Sequence, residues 1–256
     1  MTDNPAKTYP YETIAGDPMG VRIYTLDNGL RVFLSVNTNE PRIFTNLVFR
    51  AGSKYDPADT TGLAHYMEHM LFKGTSRIGA MDWERESALL ERIADRFEDY
   101  RATQDPDERT TIYADIDRLS YEAAQLVAPN EYDRLVTAIG AKQTNAYTWV
   151  EQTVYVNDIP SNELERWLRL ERERFGHLAL RLFHTELETV YEEFNISQDK
   201  DFRKSNNKLR ELLFPTHPYG TQTTLGRPEH LKNPSMRNIQ RFFDTYYVPN
   251  NLAICL

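Results

Sequence analysis

Two histidines and a glutamate lie within five residues of one another in a segment without helix-breaking residues. His65 and His69 are four residues apart, and Glu68 directly precedes the second of them. On an α-helix this spacing places the two imidazoles one turn apart on the same face. Two imidazoles so placed can bind one zinc ion at about 2.0–2.1 Å, and the carboxylate beside them can take a proton from an attacking water. The pattern therefore predicts a metal site with an adjacent general base.

The flanking sequence predicts the helix that this pattern requires. Apolar residues recur there at helical spacing: Leu63, Met67, Met70 and Leu71. Gly62 precedes the segment, and residues 49–56 have the composition of a strand end followed by a loop. A surface helix that carries two histidines and a glutamate by chance is the alternative, and the strand–loop–helix context favours the metal site.

The elements before this helix are predicted to be strands. Residues 21–26, 31–36 and 43–51 are strand-like, and the Asp-Asn-Gly turn at 27–29 joins the first two because Asn-Gly tolerates positive φ. Residues 1–20, rich in Pro, Gly and Asp, are expected to form an extended lead-in. The metal-site helix then follows the third strand directly.

A charged helical stretch follows at about 83–138. Two apolar stripes run along it, one at Leu89, Leu90, Ile93 and Phe97 and one at Ile112, Ile116 and Leu119. A turn at 104–107 separates them and predicts a helical hairpin. A solvated, stabilising hairpin is the simpler account, and a lid or partner surface near the site is the alternative.

Residues 62–75, GLAHYMEHMLFKGT, closely resemble the active-site helix of the pitrilysin/insulinase (M16) family of zinc metallopeptidases. The order His-x-x-Glu-His is the inverzincin signature. Residues 140–148 resemble the family's strand with Asn-Ala-x-Thr, and residues 217–220 and 246–251 resemble markers late in its first metal-binding domain. The chain is identified as the N-terminal metal-binding domain of a bacterial member, since the resemblance covers most of its length.

The resemblance implies the remaining ligand. Residues 186–194 resemble the family's second metal segment, in which two glutamates seven residues apart flank a β-branched residue. On this match His65, His69 and Glu193 bind one zinc ion per chain, and Glu186 orients the site. Three protein ligands with one open position are typical of catalytic zinc.

The spacing of this second segment departs from the family pattern. Glu193 follows His69 by 124 residues, much more than is usual in the family. We therefore interpret most of 85–130 as a helical insertion. Glu192 and Glu188 remain alternatives to Glu193, because the helix phase is fixed only to about one residue.

The resemblance also implies a zinc-dependent endopeptidase that acts on peptides or unfolded polypeptides, with Glu68 as general base. In relatives the region of Asn145 and Ala146 forms a sheet edge along which the substrate peptide lies as an added strand. A non-catalytic partner or scaffold subunit of a two-component peptidase is the alternative within the family. A metal-dependent hydrolase with another substrate is the third hypothesis. The intact motif favours the peptidase.

The expected fold is α+β: a mainly antiparallel sheet of about six strands with helices packed on one face and an inserted helical hairpin. We expect residues 1–256 to form a single domain, the first unit of a longer multi-domain protein, since residues 252–256 begin a strand. Relatives close a chamber from two halves, so the C-terminal half of the same protein or a partner subunit would complete the site. The isolated chain is then expected to be weakly active or inactive.

The composition excludes some partners. With 38 acidic and 30 basic side chains the net charge is −8, which argues against nucleic acid or anionic membranes and would suit cationic peptides. No apolar run approaches the roughly 20 residues of a membrane span. The single cysteine, Cys255, excludes an internal disulfide framework. The compartment stays open: cytoplasmic if the N-terminus is native, periplasmic or secreted if a leader was removed.

Overall fold

The described part of the chain contains one sheet of seven strands. The structure is a computed structural model that describes residues 8–256. The strands are β1 Tyr11–Thr13, β2 Arg22–Thr25, β3 Arg31–Leu34, β4 Arg42–Phe49, β5 Lys142–Thr148, β6 Thr153–Pro160 and β7 Leu252–Cys255. Their order in the sheet is β1-β2-β3-β7-β4-β6-β5. Strands β3 and β7 are parallel, and the other neighbouring pairs are antiparallel.

Ten α-helices are present in the described part of the chain. They are α1 Leu63–Met70, α2 Trp83–Ala102, α3 Pro106–Ala124, α4 Glu131–Ala138, α5 Leu164–Gly176, α6 Phe183–Gln198, α7 Asp201–Leu213, α8 Pro218–Thr221, α9 Pro228–Leu231 and α10 Met236–Tyr246. Helices α2 and α3 form the predicted hairpin. None of the ten is long and apolar enough to cross a membrane.

The expected α+β fold is confirmed, with seven strands where about six were predicted. The additional strand is β1, which pairs with β2 within the segment expected to be an extended lead-in. Residues 1–7 of that lead-in lie outside the described residues. That residues 85–130 are an insertion, and that the chain is the first unit of a longer protein, stay predictions.

Alternation along the central strand β4 places the helices against one face of the sheet. Thr45, Leu47 and Phe49 are buried, whereas Phe44 on the other face is exposed. Successive side chains of a strand point to opposite faces. Leu47 and Phe49 belong to the same core as Met67 of α1 and other helical residues. Helix α1 therefore packs its apolar side against this face of the sheet.

A buried carboxylate fixes the start of α1. Asp56 accepts hydrogen bonds from the backbone N–H of Gly62 at 2.7 Å and of Ala64 at 2.9 Å. Gly62 has φ +87°, and a Cβ there would lie 2.9 Å from the carbonyl oxygen of Leu225. Glycine is required at this position for both reasons.

A buried arginine fixes the turn after α1. Arg174 Nε donates to the carbonyl of Leu71 at 3.0 Å, and its NH1 group donates to the Tyr132 hydroxyl at 2.7 Å and to Glu171 at 3.2 Å. The guanidinium also lies over the ring of Phe72, 4.4 Å from its centroid. A second buried pair, Arg181 with Glu86, extends this frame to the hairpin.

Arg181 connects the hairpin to the loop that follows α1. Its Nε and NH2 groups donate to the two oxygens of Glu86 on α2 at 2.7 and 2.9 Å. The same NH2 group donates to the carbonyl of Thr75 at 2.8 Å. Both charged side chains are almost fully buried, so each depends on the other for its compensation. Helix α6 begins two residues after Arg181, which ties its start to the same frame.

Candidate metal centre

Helices α1 and α6 bring three ligand-type atoms to one place. His65 Nε2 and His69 Nε2 are 3.3 Å apart, and Glu193 Oε2 lies 3.4 Å from the first and 3.7 Å from the second. A tetrahedral zinc ion with bonds of about 2.0–2.1 Å has ligand atoms about 3.4 Å apart. The donor set of two imidazoles and one carboxylate and its spacing therefore fit zinc.

Of the three glutamates considered for the third ligand, Glu193 is the one beside the histidines. Glu192 accepts a hydrogen bond from Asn195 at 3.5 Å, on the same helix. Glu188 is exposed and lies outside the cluster. Glu193 follows Glu186 by seven residues, or two helical turns, so both carboxylates lie on the face of α6 that meets α1.

Glu186 fixes the ring of His69. Nδ1–H of His69 donates to Glu186 Oε1 at 2.7 Å, which leaves Nε2 for the position shared with Glu193. The ammonium of Lys73 pairs with the other oxygen of Glu186. A carboxylate on the far nitrogen of a ligating histidine sets its tautomer and raises its basicity. No role for Lys73 was predicted from the sequence.

The charges around His69 shift several pKa values. Burial lowers the pKa of His69, but the hydrogen bond to Glu186 and the negative charges of Glu193 and Glu68 outweigh it, and the pKa is raised. The hydrogen bond from His65 lowers the pKa of Glu193. Burial raises the pKa of Glu186, but the hydrogen bonds that this carboxylate accepts outweigh burial, and its pKa is lowered.

Glu68 lies on α1 between the two histidines, and its carboxylate accepts a hydrogen bond from a threonine. Thr148 Oγ1 donates to Glu68 Oε2 at 2.5 Å. The Thr148 oxygen also lies 3.3 Å from Thr153 Oγ1, which donates to the carbonyl of Ala51 at 2.9 Å. Thr148 is the last residue of the Asn-Ala-x-Thr segment. The resemblance of that segment to the family pattern could have predicted a role for Thr148.

The predicted substrate-binding residues lie on an edge strand. In the described sheet β5 pairs only with β6, with Asn145 opposite Val156 and Ala146 opposite Tyr155. Asn145 and Ala146 line a cleft of about 1130 Å³ together with the two histidines, Glu68, Glu186 and Glu193. An edge strand presents unpaired backbone groups to an added strand. The geometry therefore brings the candidate metal centre and the β5 edge of the described sheet into one cleft.

The other histidines lie outside the metal cluster. Nδ1 of His230 accepts from the backbone N–H of Thr61 at 3.2 Å. Nδ1 of His217 accepts from the backbone N–H of Tyr219 at 3.2 Å and caps α8. His177 and His184 each lie near one carboxylate on the surface.

Sequence comparison connects the chain to a peptidase family. The profile of the family described as Insulinase (Peptidase family M16) matches residues 31–115. An uncharacterized zinc protease, YmxG, of Bacillus subtilis (strain 168) is 22% identical over 236 residues, which cover 91% of this chain and 45% of that protein. The resemblance found in the sequence is confirmed by these matches.

Solved structures share the fold. The first half of the periplasmic protease PqqL from Escherichia coli matches with a TM-score of 0.68 at 17% identity, over 95% of this chain and 43% of that chain. A peptidase M16 inactive domain from Pseudomonas fluorescens matches with a TM-score of 0.65 at 16% identity, over 92% of this chain and 45% of that chain. The chain spans less than half the length of each of these three proteins.

We expect Glu186→Gln to lower the pKa of His69 in the metal-free protein. Burial lowers this pKa, and the variant removes one of the negative charges that raise it. Histidine titration by NMR, with a chelator present, measures this shift. The raised pKa of His69 stabilises the fold fully below the free-histidine pKa of about 6.5 and less as pH rises through the folded-state pKa. The variant should therefore lose more unfolding free energy at about pH 6 than at about pH 8.

Glu188→Gln is the matched control for this titration. Glu188 lies on the same helix but is exposed and outside the cluster, so its replacement should leave the pKa of His69 unchanged. An unchanged pKa in Glu186→Gln would contradict the electrostatic account.

Proposed function

Because the chain is a relative of the insulinase peptidases of family M16, we propose that it is the zinc-binding unit of a metalloendopeptidase. Its substrates would be peptides or unfolded polypeptides. The observation that carries this proposal is the meeting of His65, His69 and Glu193 within 3.7 Å of one another. A surface helix with chance histidines would have no reason to meet a carboxylate 124 residues further along the chain.

In this proposal each residue of the centre has one role. His65, His69 and Glu193 hold one zinc ion, and Glu186 with Lys73 orients the ring of His69. Zinc, when bound, supplies the Lewis acidity that lowers the pKa of a bound water to about 7.

Glu68 is the proposed general base. Thr148 occupies its Oε2, so Oε1 is the oxygen left to accept the proton from the attacking water. The same carboxyl then returns the proton to the leaving amine. Asn145 and Ala146 on β5 would hold the peptide as an added strand, which takes its affinity from main-chain hydrogen bonds and tolerates varied sequences.

A non-catalytic scaffold subunit is the second candidate. The observation in its favour is the structural match to a domain described as inactive. The presence of His65, Glu68 and His69 in this chain supports the peptidase instead. Loss of turnover in a Glu68 variant separates the two candidates, because a scaffold has no turnover to lose.

We expect near-stoichiometric zinc, one ion per chain, in protein purified without chelator. His69→Ala should abolish zinc binding, and Glu193→Gln should weaken it strongly because it removes the only anionic ligand of the set. Elemental analysis by mass spectrometry measures the content. Glu192→Gln is the control and should bind as the wild type does. Zinc lost in Glu192→Gln but kept in Glu193→Gln would show that the third ligand is assigned wrongly.

Glu68→Gln should keep zinc and peptide affinity but lose most turnover. Removal of a general base costs about 10²–10⁴-fold in rate. Steady-state hydrolysis of a fluorogenic peptide measures the loss, and zinc content shows that the centre is intact. Cleavage at near wild-type rate would refute the assigned role of Glu68.

We also propose that a second half, either C-terminal in the same protein or a partner subunit, completes the active site. The chain spans less than half of its relatives. The isolated 256-residue chain should therefore bind zinc yet hydrolyse peptides far more slowly than a form extended through the following domains. Each missing oxyanion donor costs about 10²–10³-fold. Equal specific activity from both forms would show that this unit is self-sufficient.

A further inference from the structure

Three basic side chains line the cleft beyond the metal centre. They are Lys200, Arg203 and Arg210, at the start of α7 and along it. Lys200 and Arg203 are exposed and Arg210 is half-buried. Within residues 8–256 none of the three is joined to a carboxylate by an ion pair, whereas Lys208 on the same helix pairs with Glu211. Their charges are therefore available to a ligand.

The carboxylates of the cleft are all engaged at the metal centre. Among the described residues that line it, the acidic ones are Glu68, Glu186 and Glu193. Glu68 accepts from Thr148, Glu186 pairs with Lys73 and His69, and Glu193 faces the two histidines. Apart from Lys73, the other charged side chains among the described residues that line the cleft are the cations Lys200, Arg203 and Arg210, although the whole chain carries a charge of −8.

The position of these cations sets their distance from the metal centre. Lys200 follows Glu193 by seven residues, and α6 continues to Gln198. The five helical steps from Glu193 to Gln198 advance about 7.5 Å, and the two residues beyond the end of α6 extend this to about 10 Å, the length of about three residues of extended peptide. A peptide that lies extended from the metal centre along this wall brings its third residue or so to Lys200 and Arg203.

Bulky apolar side chains line the same cleft as the cations. Phe202 and Ile196 are 84% and 59% exposed, and Trp149, next to the edge strand, is 63% exposed. All three line the same cleft. Exposed apolar side chains gathered around charged ones are typical of a binding surface, and their presence adds apolar contact to the charge selection.

We propose that this wall is a substrate subsite for acidic peptides: it selects Asp or Glu about three residues from the scissile bond, next to bulky apolar residues. The position of the subsite is given relative to the bond that is cleaved, so the inference rests on the proposed peptidase function. The binding preference itself requires no turnover. It is the opposite of the preference for cationic peptides that the net charge suggests.

The test compares labelled peptides that differ at one position. Ten-residue peptides with blocked termini and one apolar frame carry Glu, Gln or Lys three residues from the centre. Fluorescence anisotropy measures their binding to the zinc-loaded, full-length Glu68→Gln protein, which keeps them uncut. Exposed ion pairs are weak, so we expect the Glu peptide to bind about three- to tenfold more tightly than the Lys peptide. The difference should shrink in about 1 M salt, where the Debye length falls to about 3 Å.

Reversal of charge on the wall should reverse the preference. With Lys200→Glu and Arg203→Glu together, the Lys peptide should bind more tightly than the Glu peptide. Lys204→Glu and Lys208→Glu together are the matched control: they change the net charge by the same amount on α7, but neither side chain lines the cleft, so the original preference should persist.

Equal binding of the three peptides, no binding of any, or an unchanged preference in the double variant would overturn the subsite. These outcomes are separate from failure of the proposed function. A protein that prefers the Glu peptide but never cleaves one keeps the subsite and loses the peptidase. A wild type that cleaves all three at equal rates keeps the peptidase and loses the subsite.

Discussion

The hydrogen bond between His69 Nδ1 and Glu186 Oε1 joins two helices whose residues are 117 positions apart. It fixes the ring of His69, and it also fixes the rotation of α6 against α1. Glu193 lies two turns further along the same face of α6, so its place beside the histidines follows from that rotation. Lys73 pairs with the other oxygen of Glu186, and a single carboxylate thereby connects the end of the motif to the helix that carries the candidate ligand Glu193.

A frame of buried polar and charged side chains keeps these two helices in place. Asp56 caps α1, Arg174 holds the turn after it, and Arg181 connects the following loop and the start of α6 to Glu86 on the hairpin. A buried ion pair contributes little net stability compared with apolar packing. The buried ion pairs instead fix the positions of the helices, because a metal site of the proposed kind needs ligand atoms held to within about 0.5 Å.

The sequence predicted what is local and missed what depends on tertiary contacts. The spacing of His65 and His69 predicted α1, and two apolar stripes predicted the hairpin. Glu193 is too distant in the chain for spacing to select it, and only the family resemblance brought it forward. Lys73 acquires a partner only after α6 packs on α1. Helix α7 was not predicted, although Phe202, Leu209, Leu212 and Leu213 recur in it at helical spacing; all four side chains are exposed.

The charge of the cleft also could not be predicted from the sequence. A net charge is a sum over the whole surface, whereas a ligand in solution senses mainly charges within a Debye length of about 8 Å at physiological salt. Here the acidic residues of the cleft are those of the candidate metal centre, and Lys200, Arg203 and Arg210 form no ion pair within residues 8–256, whereas Lys208 is paired. Composition therefore could not indicate the sign of the potential that a bound peptide meets, because that sign is decided by which side chains folding neutralises.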